Sequence, residues 1–244
     1  TLYNSLQAVA TENVNVVTVE DPVEYILPRI TQTQVLEAAG MTFAAGLRAI
    51  LRQDPDIIMV GEIRDAETAE TAIRAALTGH LVLTTLHTND AVSAIPRLKD
   101  IGPDPGLVSD ALLGIVAQRL IRKICPHCVK PYTPTETDLR KLGLSIKEAN
   151  PKAWRYGKGC SKCFNSGYLG REAIVELLNV DDTVRQLVYE GTMTQLHRYL
   201  NEIQFDSFRM AAIEKVTQGV TTLTEVLRVL PHSALYPKGY TESK

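Results

Sequence analysis

The sequence lacks the features that mark membrane-spanning, fibrous and disordered proteins. No apolar run approaches the ~20 residues that a transmembrane helix needs, and the longest, Ile57 to Val60 and Leu81 to Leu83, have the length of strands. The first residues contain neither a basic nor an apolar segment, so they do not read as a secretory signal. A hydrophobic content of 45% without repeats or low-complexity runs disfavours disorder, collagen and coiled coil. We expect a soluble, cytoplasmic chain.

The sequence also lacks an excess of either charge. Lys and Arg together number 26, Asp and Glu 28, and the formal net charge is -2. This balance gives no global electrostatic reason to expect nucleic acid or an anionic membrane as the main partner. The length of 244 residues permits one large α/β domain or two smaller domains.

Cysteine is scarce, but the four that occur form two C-x-x-C pairs with none left over. Cys125 and Cys128 form the first pair, and Cys160 and Cys163 form the second. Each pair offers two thiolates on a tight turn, and the two turns together suit one tetrahedral zinc ion. Disulfides, free thiols and a redox centre are the alternatives, although a redox fold needs only one such pair. We leave His127 out of the predicted ligand set.

Strands and helices alternate in the first part of the chain. The apolar strands end in polar residues, and helical spacing of apolar residues fills the segments between them. This βαβα order predicts a parallel sheet covered on both faces, with ligands at the carboxyl ends of the strands. The predicted strands are 14–20, 56–60 and 81–86, and the predicted helices are an N-terminal helix from Leu2, 42–53 capped by Thr42, and 66–77.

The remainder divides into three predicted parts. Residues 91–124 read as helices interrupted at Gly102 to Gly106, which would complete an α/β core over residues 1–124. A tetracysteine zinc subdomain is predicted over 125–175, a helical C-terminal subdomain over 176–232, and a flexible tail over 233–244.

Three polar clusters follow the predicted strands. Glu20, Asp21 and Glu24 supply carboxylates that hold Mg²⁺ through water or orient a water for attack on a phosphate. Glu62 stands at the end of a buried strand, as the acidic residue of a Walker B element does, although Gly-Glu replaces the usual aspartate. His87 follows the third strand and is placed to sense a γ-phosphate, whereas His80 precedes that strand and reads as a packing or capping residue. Taken singly, each cluster also fits a solvated turn.

Together the clusters resemble the secretion ATPase family of type II secretion and type IV pilus assembly. Residues 17–24 (VTVEDPVE) look like its Asp box, 51–65 (LRQDPDIIMVGEIRD) like its Walker B region, and 78–90 (TGHLVLTTLHTND) like its His box. The tetracysteine element also matches and points to the assembly and export branch.

The resemblance implies a RecA-like P-loop NTPase fold and a hexameric motor that uses ATP, Mg²⁺ and Zn²⁺. It implies a peripheral location on the cytoplasmic face of the inner membrane, with an inner-membrane platform protein and a recruiting partner with a cytoplasmic domain. Glu20 would polarise the attacking water, Glu62 would be the metal-linked carboxylate, and His87 would sense the γ-phosphate. Asp21, Glu24 and Arg64 would lie near the nucleotide or magnesium, and Arg48 and Arg52 rank lower. Which glutamate acts as the base stays open.

One family feature is missing from these residues. The phosphate-binding motif G-x-x-x-x-G-K-[ST] does not occur, and the family has it directly before the helix that opens here at Thr1. The resemblance therefore implies the C-terminal portion of a longer protein, and we expect these residues alone to bind ATP weakly and to have no meaningful turnover. The alternatives are a non-catalytic zinc-bearing scaffold, a nucleic-acid-binding module, and a RecA-like recombinase or helicase. No nucleic acid is expected, because aromatic residues do not interleave with a basic patch.

Overall fold

The computed structural model describes residues 1–142, 144 and 154–230. The chain forms two compact units. The first, which we call the sheet unit, consists of Thr1–Thr88, Ser93–Leu113 and Val180–Thr192. The second, which we call the ribbon unit, consists of Asn89–Val92, Gly114–Asn179 and the residues from Met193 onward. The predicted flexible tail at 233–244 lies outside the described residues.

The sheet unit contains a parallel sheet of four strands. They are β1 (Val16–Glu20), β2 (Ile30–Gln34), β3 (Ile57–Val60) and β4 (Leu81–Thr84), in the order β2-β1-β3-β4. Val16 lies opposite Ile57, which in turn lies opposite Leu81, so β1, β3 and β4 run in step. Because all strands are parallel, their carboxyl ends meet at one edge of the sheet. The predicted α/β fold with a parallel sheet is confirmed.

The central strands are buried and the flanking ones are less so. Every residue of β1 and β3 is buried, as the prediction of a sheet covered on both faces requires. That prediction is wrong for β4, whose residues are partly or fully exposed, with Leu81 at 39%. Among the described residues β4 is the edge strand next to β3, and an edge position leaves more of its surface uncovered.

Short helices connect the strands and supply the rest of the core. Thr42 caps α2 by accepting a hydrogen bond from Ala45 N, and Asp65 caps α3 in the same way through Thr68 N. Their apolar sides pack with Val19, Ile58 and neighbouring strand residues in one buried cluster. The helices of this unit are α1 (Leu2–Val9), α2 (Phe43–Ile50), α3 (Ala66–Leu77), α4 (Ala94–Ile101), α5 (Pro105–Ala111) and α7 (Asp182–Tyr189).

The ribbon unit is built on two long antiparallel strands. Strand β5 (Gly114–Ile124) pairs with β8 (Tyr168–Asn179), and helices α8 (Met193–Glu202), α9 (Phe208–Thr217) and α10 (Leu223–Val229) follow. A core of Ile121, Trp154, Ile174, Phe208 and other apolar side chains fills this unit. The predicted C-terminal helices are confirmed. The prediction that helix continues to Ile124 is wrong, because that segment is β5.

The tetracysteine segment adds a second, shorter pair of antiparallel strands and a short helix. Strand β6 (Val129–Pro131) pairs antiparallel with β7 (Arg155–Gly157), and α6 (Glu136–Leu142) lies between them in the sequence. No helix in the described ranges has both the length and the hydropathy to cross a membrane.

Candidate nucleotide site and tetracysteine cluster

The carboxyl edge of the parallel sheet gathers the polar side chains that the sequence singled out. Glu20 is the last residue of β1, Glu62 lies two residues beyond the end of β3, and His87 lies three beyond the end of β4. Gly61 N donates to Val19 O over 2.8 Å, and Thr85 Oγ1 donates to Gly61 O over 2.6 Å. These two bonds tie the loop after β3 to β1 and to the loop after β4. They fix the distance between the residues that follow the strands.

Glu62 is the centre of a charged group at this edge. Arg64 donates to Glu62 Oε1, and His87 Nε2 lies 3.4 Å from Glu62 Oε2. Arg64 Nη1 also lies 3.7 Å from Asp21 Oδ2. The hydrogen bond from Arg64 lowers the pKa of Glu62, and the nearby charges of Arg64 and His87 act in the same direction. Glu62 is therefore ionised at neutral pH and available to a cation.

The members of this group differ in exposure. The side chain of Glu62 is 15% exposed, whereas that of His87 is 91% exposed. A nearly free imidazole beside a fixed carboxylate can turn toward a ligand without breaking a packed structure. Thr84 Oγ1, at the end of β4, is buried without a hydrogen bond to any described residue.

Glu20 is held apart from that group by a different set of partners. It is only 3% exposed. Tyr3 Oη donates to its Oε2, while Thr18 Oγ1 and Gln32 Nε2 donate to its Oε1. Three donors compensate the burial of a carboxylate, which otherwise costs several kcal/mol.

The structure thus brings together four of the six predicted nucleotide-site residues: Asp21, Glu62, Arg64 and His87. Glu20 ends the neighbouring strand inside its own hydrogen-bonding shell. Glu24 is exposed, and its backbone N–H donates to Tyr3 Oη over 3.1 Å.

The lower-ranked basic residues have structural partners. Arg48 pairs with Glu67, and Arg52 donates to the carbonyl of Arg48. His80 Nδ1 lies 2.9 Å from Ala75 O near the end of α3, which agrees with the capping role expected for it. These contacts give all three side chains a structural role that needs no bound ligand.

The side chains that surround Glu20 carry no recognisable signal in the sequence. Tyr3 comes from α1 and Gln32 from β2, a strand that was not predicted. A tyrosine in an amphipathic helix and a glutamine in a polar strand carry no motif that would mark them. The parallel pairing of β1 with β2 places Gln32 opposite Thr18, from where its side chain reaches Glu20.

The four cysteines converge in the ribbon unit. Their sulfur atoms all lie within 4.8 Å of one another, and every one of the thiols is free. The Sγ–Sγ distances are 4.0 Å for Cys125–Cys160, 3.9 Å for Cys128–Cys163 and 3.7 Å for Cys160–Cys163. A disulfide requires about 2.05 Å, whereas a tetrahedron with Zn–S bonds of about 2.3 Å has sulfur separations of about 3.8 Å. The geometry fits a tetrathiolate metal site.

Backbone amides support this arrangement. Gly159 N donates to Cys128 Sγ, and both Cys160 N and Gly167 N donate to Cys163 Sγ, each over 3.3 Å. Burial opposes ionisation of Cys163, but the two amides outweigh it and lower the pKa of that thiol to about 6. Burial raises the pKa of Cys128 to about 11. A divalent cation is what would hold all four groups as thiolates. His127 is exposed, as expected for a residue outside the ligand set.

Comparison with known proteins identifies the family. Residues 1–228 match the family model described as type II/IV secretion system protein. The chain belongs to this family. The resemblance drawn from the Asp box, the Walker B region, the His box and the cysteine pairs is therefore confirmed.

Relatives with assigned roles lie in two branches of the family. The type IV pilus assembly ATPase PilB of Thermus thermophilus is 50% identical over 228 residues, covering 93% of this chain and 26% of PilB. The type II secretion system ATPase E of Vibrio cholerae is 48% identical over 233 residues, covering 96% of this chain and 46% of that protein. The chain spans less than half the length of both relatives.

A solved structure supports the fold. The crystal structure of the pilus retraction motor PilT with bound ADP is similar, with a TM-score of 0.64 and 31% sequence identity. The similarity covers 92% of this chain and 54% of PilT. The α/β architecture is thus shared with a pilus retraction motor.

Proposed function

We propose that the protein containing this chain is a motor ATPase that couples ATP hydrolysis to pilin or pseudopilin assembly, in type IV pilus biogenesis or type II secretion. The observation that carries the proposal is the group formed by Asp21, Glu62, Arg64 and His87 at the carboxyl edge of a parallel sheet. In open α/β sheets this edge is where ligands bind. High identity to PilB and to the type II secretion ATPase E supports the reaction class.

Each side chain suits a step of phosphoryl transfer. Glu20 is a buried carboxylate that can accept a hydrogen bond from the attacking water and polarise it. Glu62, ionised and fixed by Arg64, with Asp21 nearby, provides the hard oxygen ligands that suit Mg²⁺. When bound, that ion would neutralise phosphate charge. His87 can turn to donate a hydrogen bond to the γ-phosphate, while Arg64 balances developing negative charge and Glu24 stays at the exposed rim.

We propose the remaining assignments on the resemblance to the same family. A RecA-like P-loop core over 1–124, a zinc subdomain over 125–175 and a helical subdomain over 176–232 are the proposed divisions. Cys125, Cys128, Cys160 and Cys163 would hold Zn²⁺, which is supported by sulfur separations close to those of a zinc tetrahedron. We further propose a homo-hexamer on the cytoplasmic face of the inner membrane, contacting a platform protein and a recruiting partner.

The complete gene product provides the test of the proposed reaction. Phosphate release from ATP should require Mg²⁺, and Glu62→Gln should lower kcat by about 100-fold or more, because the neutral amide removes charge from the metal-facing position. Glu70→Gln, an exposed change on α3, is the matched control and should retain wild-type turnover. Activity of Glu62→Gln within twofold of wild type would contradict the proposal. Hydrolysis that depends on added single-stranded DNA would instead support the recombinase or helicase alternative.

A further inference from the structure

We infer that Tyr3 is a positioning residue that orients the Glu20 carboxylate toward the attacking water. The inference rests on the proposed ATPase function and deepens it, since it adds a residue to the machinery of the same site. It is carried by the hydrogen bonds around Glu20, which come from three separate elements of the sheet unit.

The donors around Glu20 are distributed unequally over its two oxygens. Thr18 Oγ1 and Gln32 Nε2 both donate to Oε1, the latter over 3.0 Å, whereas Tyr3 Oη alone donates to Oε2. A carboxylate oxygen offers about two lone-pair sites. Oε1 is therefore saturated by these contacts, while Oε2 keeps one site beside the Tyr3 hydroxyl. A water that is polarised by Glu20 has to approach Oε2.

Gln32 fixes the saturated oxygen firmly. Its Nε2 also donates to Tyr25 O over 3.2 Å, and its Oε1 accepts from Leu27 N over 2.6 Å. Both ends of the amide are therefore engaged, which determines which end faces Glu20. The carboxylate cannot rotate about its last bond without breaking contacts on both oxygens.

Tyr3 is itself held in place. Its hydroxyl accepts a hydrogen bond from Glu24 N over 3.1 Å, and its ring packs edge-to-face on Tyr25, with centroids 4.7 Å apart. Burial raises the pKa of Tyr3, and the hydrogen bond to Glu20 raises it further, so the phenol keeps its proton and acts as a donor at neutral pH. The backbone N–H that points at the hydroxyl oxygen directs its proton toward Glu20.

The charged groups of the neighbouring loops are engaged elsewhere. Glu62 is bound by Arg64 and approached by His87, and Arg64 also lies near Asp21. Among the residues that contact the Glu20 carboxylate directly, Thr18 and Gln32 are neutral and Tyr3 is the titratable one. Tyr3→Phe therefore removes a hydrogen-bond donor from this shell without removing a charge.

The test compares Tyr3→Phe with Tyr25→Phe in the complete gene product. Tyr3→Phe removes one hydroxyl and keeps the ring, and we expect kcat to fall roughly 10-fold while KM for ATP changes less than twofold. Tyr25→Phe is the matched control, since it removes an exposed hydroxyl and keeps the backbone carbonyl that Gln32 uses.

Glu20→Gln separates the inference from the function on which it rests. If the wild type does not hydrolyse ATP, or if Glu20→Gln keeps full kcat, the proposed function or the proposed role of Glu20 fails. If Glu20→Gln is inactive while Tyr3→Phe matches Tyr25→Phe in kcat, the inference alone is wrong. A purely structural role for the hydroxyl would lower thermal stability without lowering kcat at a temperature where both variants are folded.

A second measurement is independent of turnover. In protein labelled with 3-fluorotyrosine, the ¹⁹F resonance of Tyr3 is assigned by its loss in Tyr3→Phe. The ionisation midpoint of this resonance should lie above those of exposed tyrosines and should fall in Glu20→Gln, which lacks the anionic acceptor. An unchanged midpoint in Glu20→Gln would show that the contact does not form.

Discussion

Glu225, at the start of α10, is a buried carboxylate between two arginines. Its side chain is fully buried, Arg122 Nε donates to its Oε2 over 2.9 Å, and Arg228 Nη2 donates to its Oε1 over 2.7 Å. Burial opposes ionisation, but the hydrogen bonds from Arg228 and Arg122 outweigh it and lower the pKa of Glu225 to about 2. This carboxylate joins strand β5 to helix α10 in the ribbon unit.

The lowered pKa predicts an acid-labile contribution to stability. A carboxyl group whose pKa is lower in the folded state stabilises that state fully above its unfolded value of 4.5, and the contribution is lost as pH falls toward about 2. We expect the wild type to lose about 2–3 kcal/mol over this interval through Glu225. Glu225→Gln should be less stable at pH 7, with a flatter dependence on pH below 4.5.

Urea unfolding measures this difference through the fluorescence of Trp154. This residue is the single tryptophan of the sequence and is buried in the same core as Val226. Glu202→Gln, an exposed change, is the control and should follow the wild type at every pH. Parallel curves for Glu225→Gln and wild type would refute the expected linkage.

At the residue scale, the sequence was sufficient to place the side chains that follow the strand ends. It was insufficient to predict the residues that hydrogen-bond to Glu20. The positions of Glu62, Arg64 and His87 follow from one rule, that parallel strands share a carboxyl edge. The partners of Glu20 depend on which strand lies beside β1 and on where α1 packs. Those are long-range facts, and no local pattern around Tyr3 or Gln32 encodes them.

At the element scale, two glycines allow strand β7 and the segment after the second cysteine pair to lie close together. A Cβ on Gly157 would lie 1.9 Å from Gly167 O, so only hydrogen fits between these backbones. Gly167 O accepts from Cys125 N over 2.9 Å, and Gly167 N donates to Cys163 Sγ over 3.3 Å. Gly167 therefore connects both cysteine pairs, and its place depends on Gly157.

Gly157→Ala should consequently weaken metal binding. The methyl group displaces the Gly167 backbone and with it the amides that orient the sulfurs, and loss of such supporting contacts typically costs about 10- to 100-fold in affinity. Competition with a chromophoric chelator gives the zinc affinity. Gly170→Ala is the control, because its Cβ meets nothing within 4 Å and only the left-handed backbone at φ +77° is strained. Equal affinities in both variants would contradict the prediction.

Strand β5, which the sequence predicted as a helix, shows why periodicity is insufficient. Ala117, Leu120, Ile121 and Ile124 fall at helical spacing, yet the segment is strand β5. Its partner β8 begins at Tyr168, 44 positions after Ile124, and ten residue pairs align across the two strands. Pairing with a distant strand overrides a local pattern, because both signals use the same few apolar residues.

At the scale of the molecule, all four cysteines lie in one of the two units. The ribbon unit contains the whole tetracysteine cluster together with β5 to β8, whereas β1 to β4 belong to the sheet unit. If the cluster binds zinc, the metal contributes folding free energy to the unit that contains its ligands. Loss of the metal should therefore lower the stability of the ribbon unit more than that of the sheet unit.

We expect Cys125→Ser and Cys160→Ser to lose zinc by elemental analysis. Hydrogen exchange should then lose protection in β6, β7 and the adjoining ends of β5 and β8, while β1 and β3 stay protected. Ser161→Ala, in the same turn as Cys160, should keep its metal. Unchanged zinc content in both cysteine variants would refute the assignment, and uniform loss of protection would contradict its confinement to the ribbon unit.

The sequence supported the family and the α/β class but not the division of the chain into units. Both units are assembled from separate stretches, and Asn89–Val92 belongs to the ribbon unit although the residues on either side belong to the sheet unit. A division read along the chain assumes continuous segments. The proposed boundaries at 124 and 175 remain predictions.

The distance in sequence between the two cysteine pairs has a consequence for how the chain tolerates change. The sulfur cluster joins the two ends of a chain segment of 31 residues, from Val129 to Gly159. Closure entropy grows only with the logarithm of loop length, so doubling this stretch costs about 0.6 kcal/mol. Insertions in this segment outside β6, α6 and β7 are therefore thermodynamically cheap. Adding one residue inside either C-x-x-C turn would instead move a ligand out of the tetrahedron. The length of the segment between the pairs can therefore vary, whereas the length of each turn cannot.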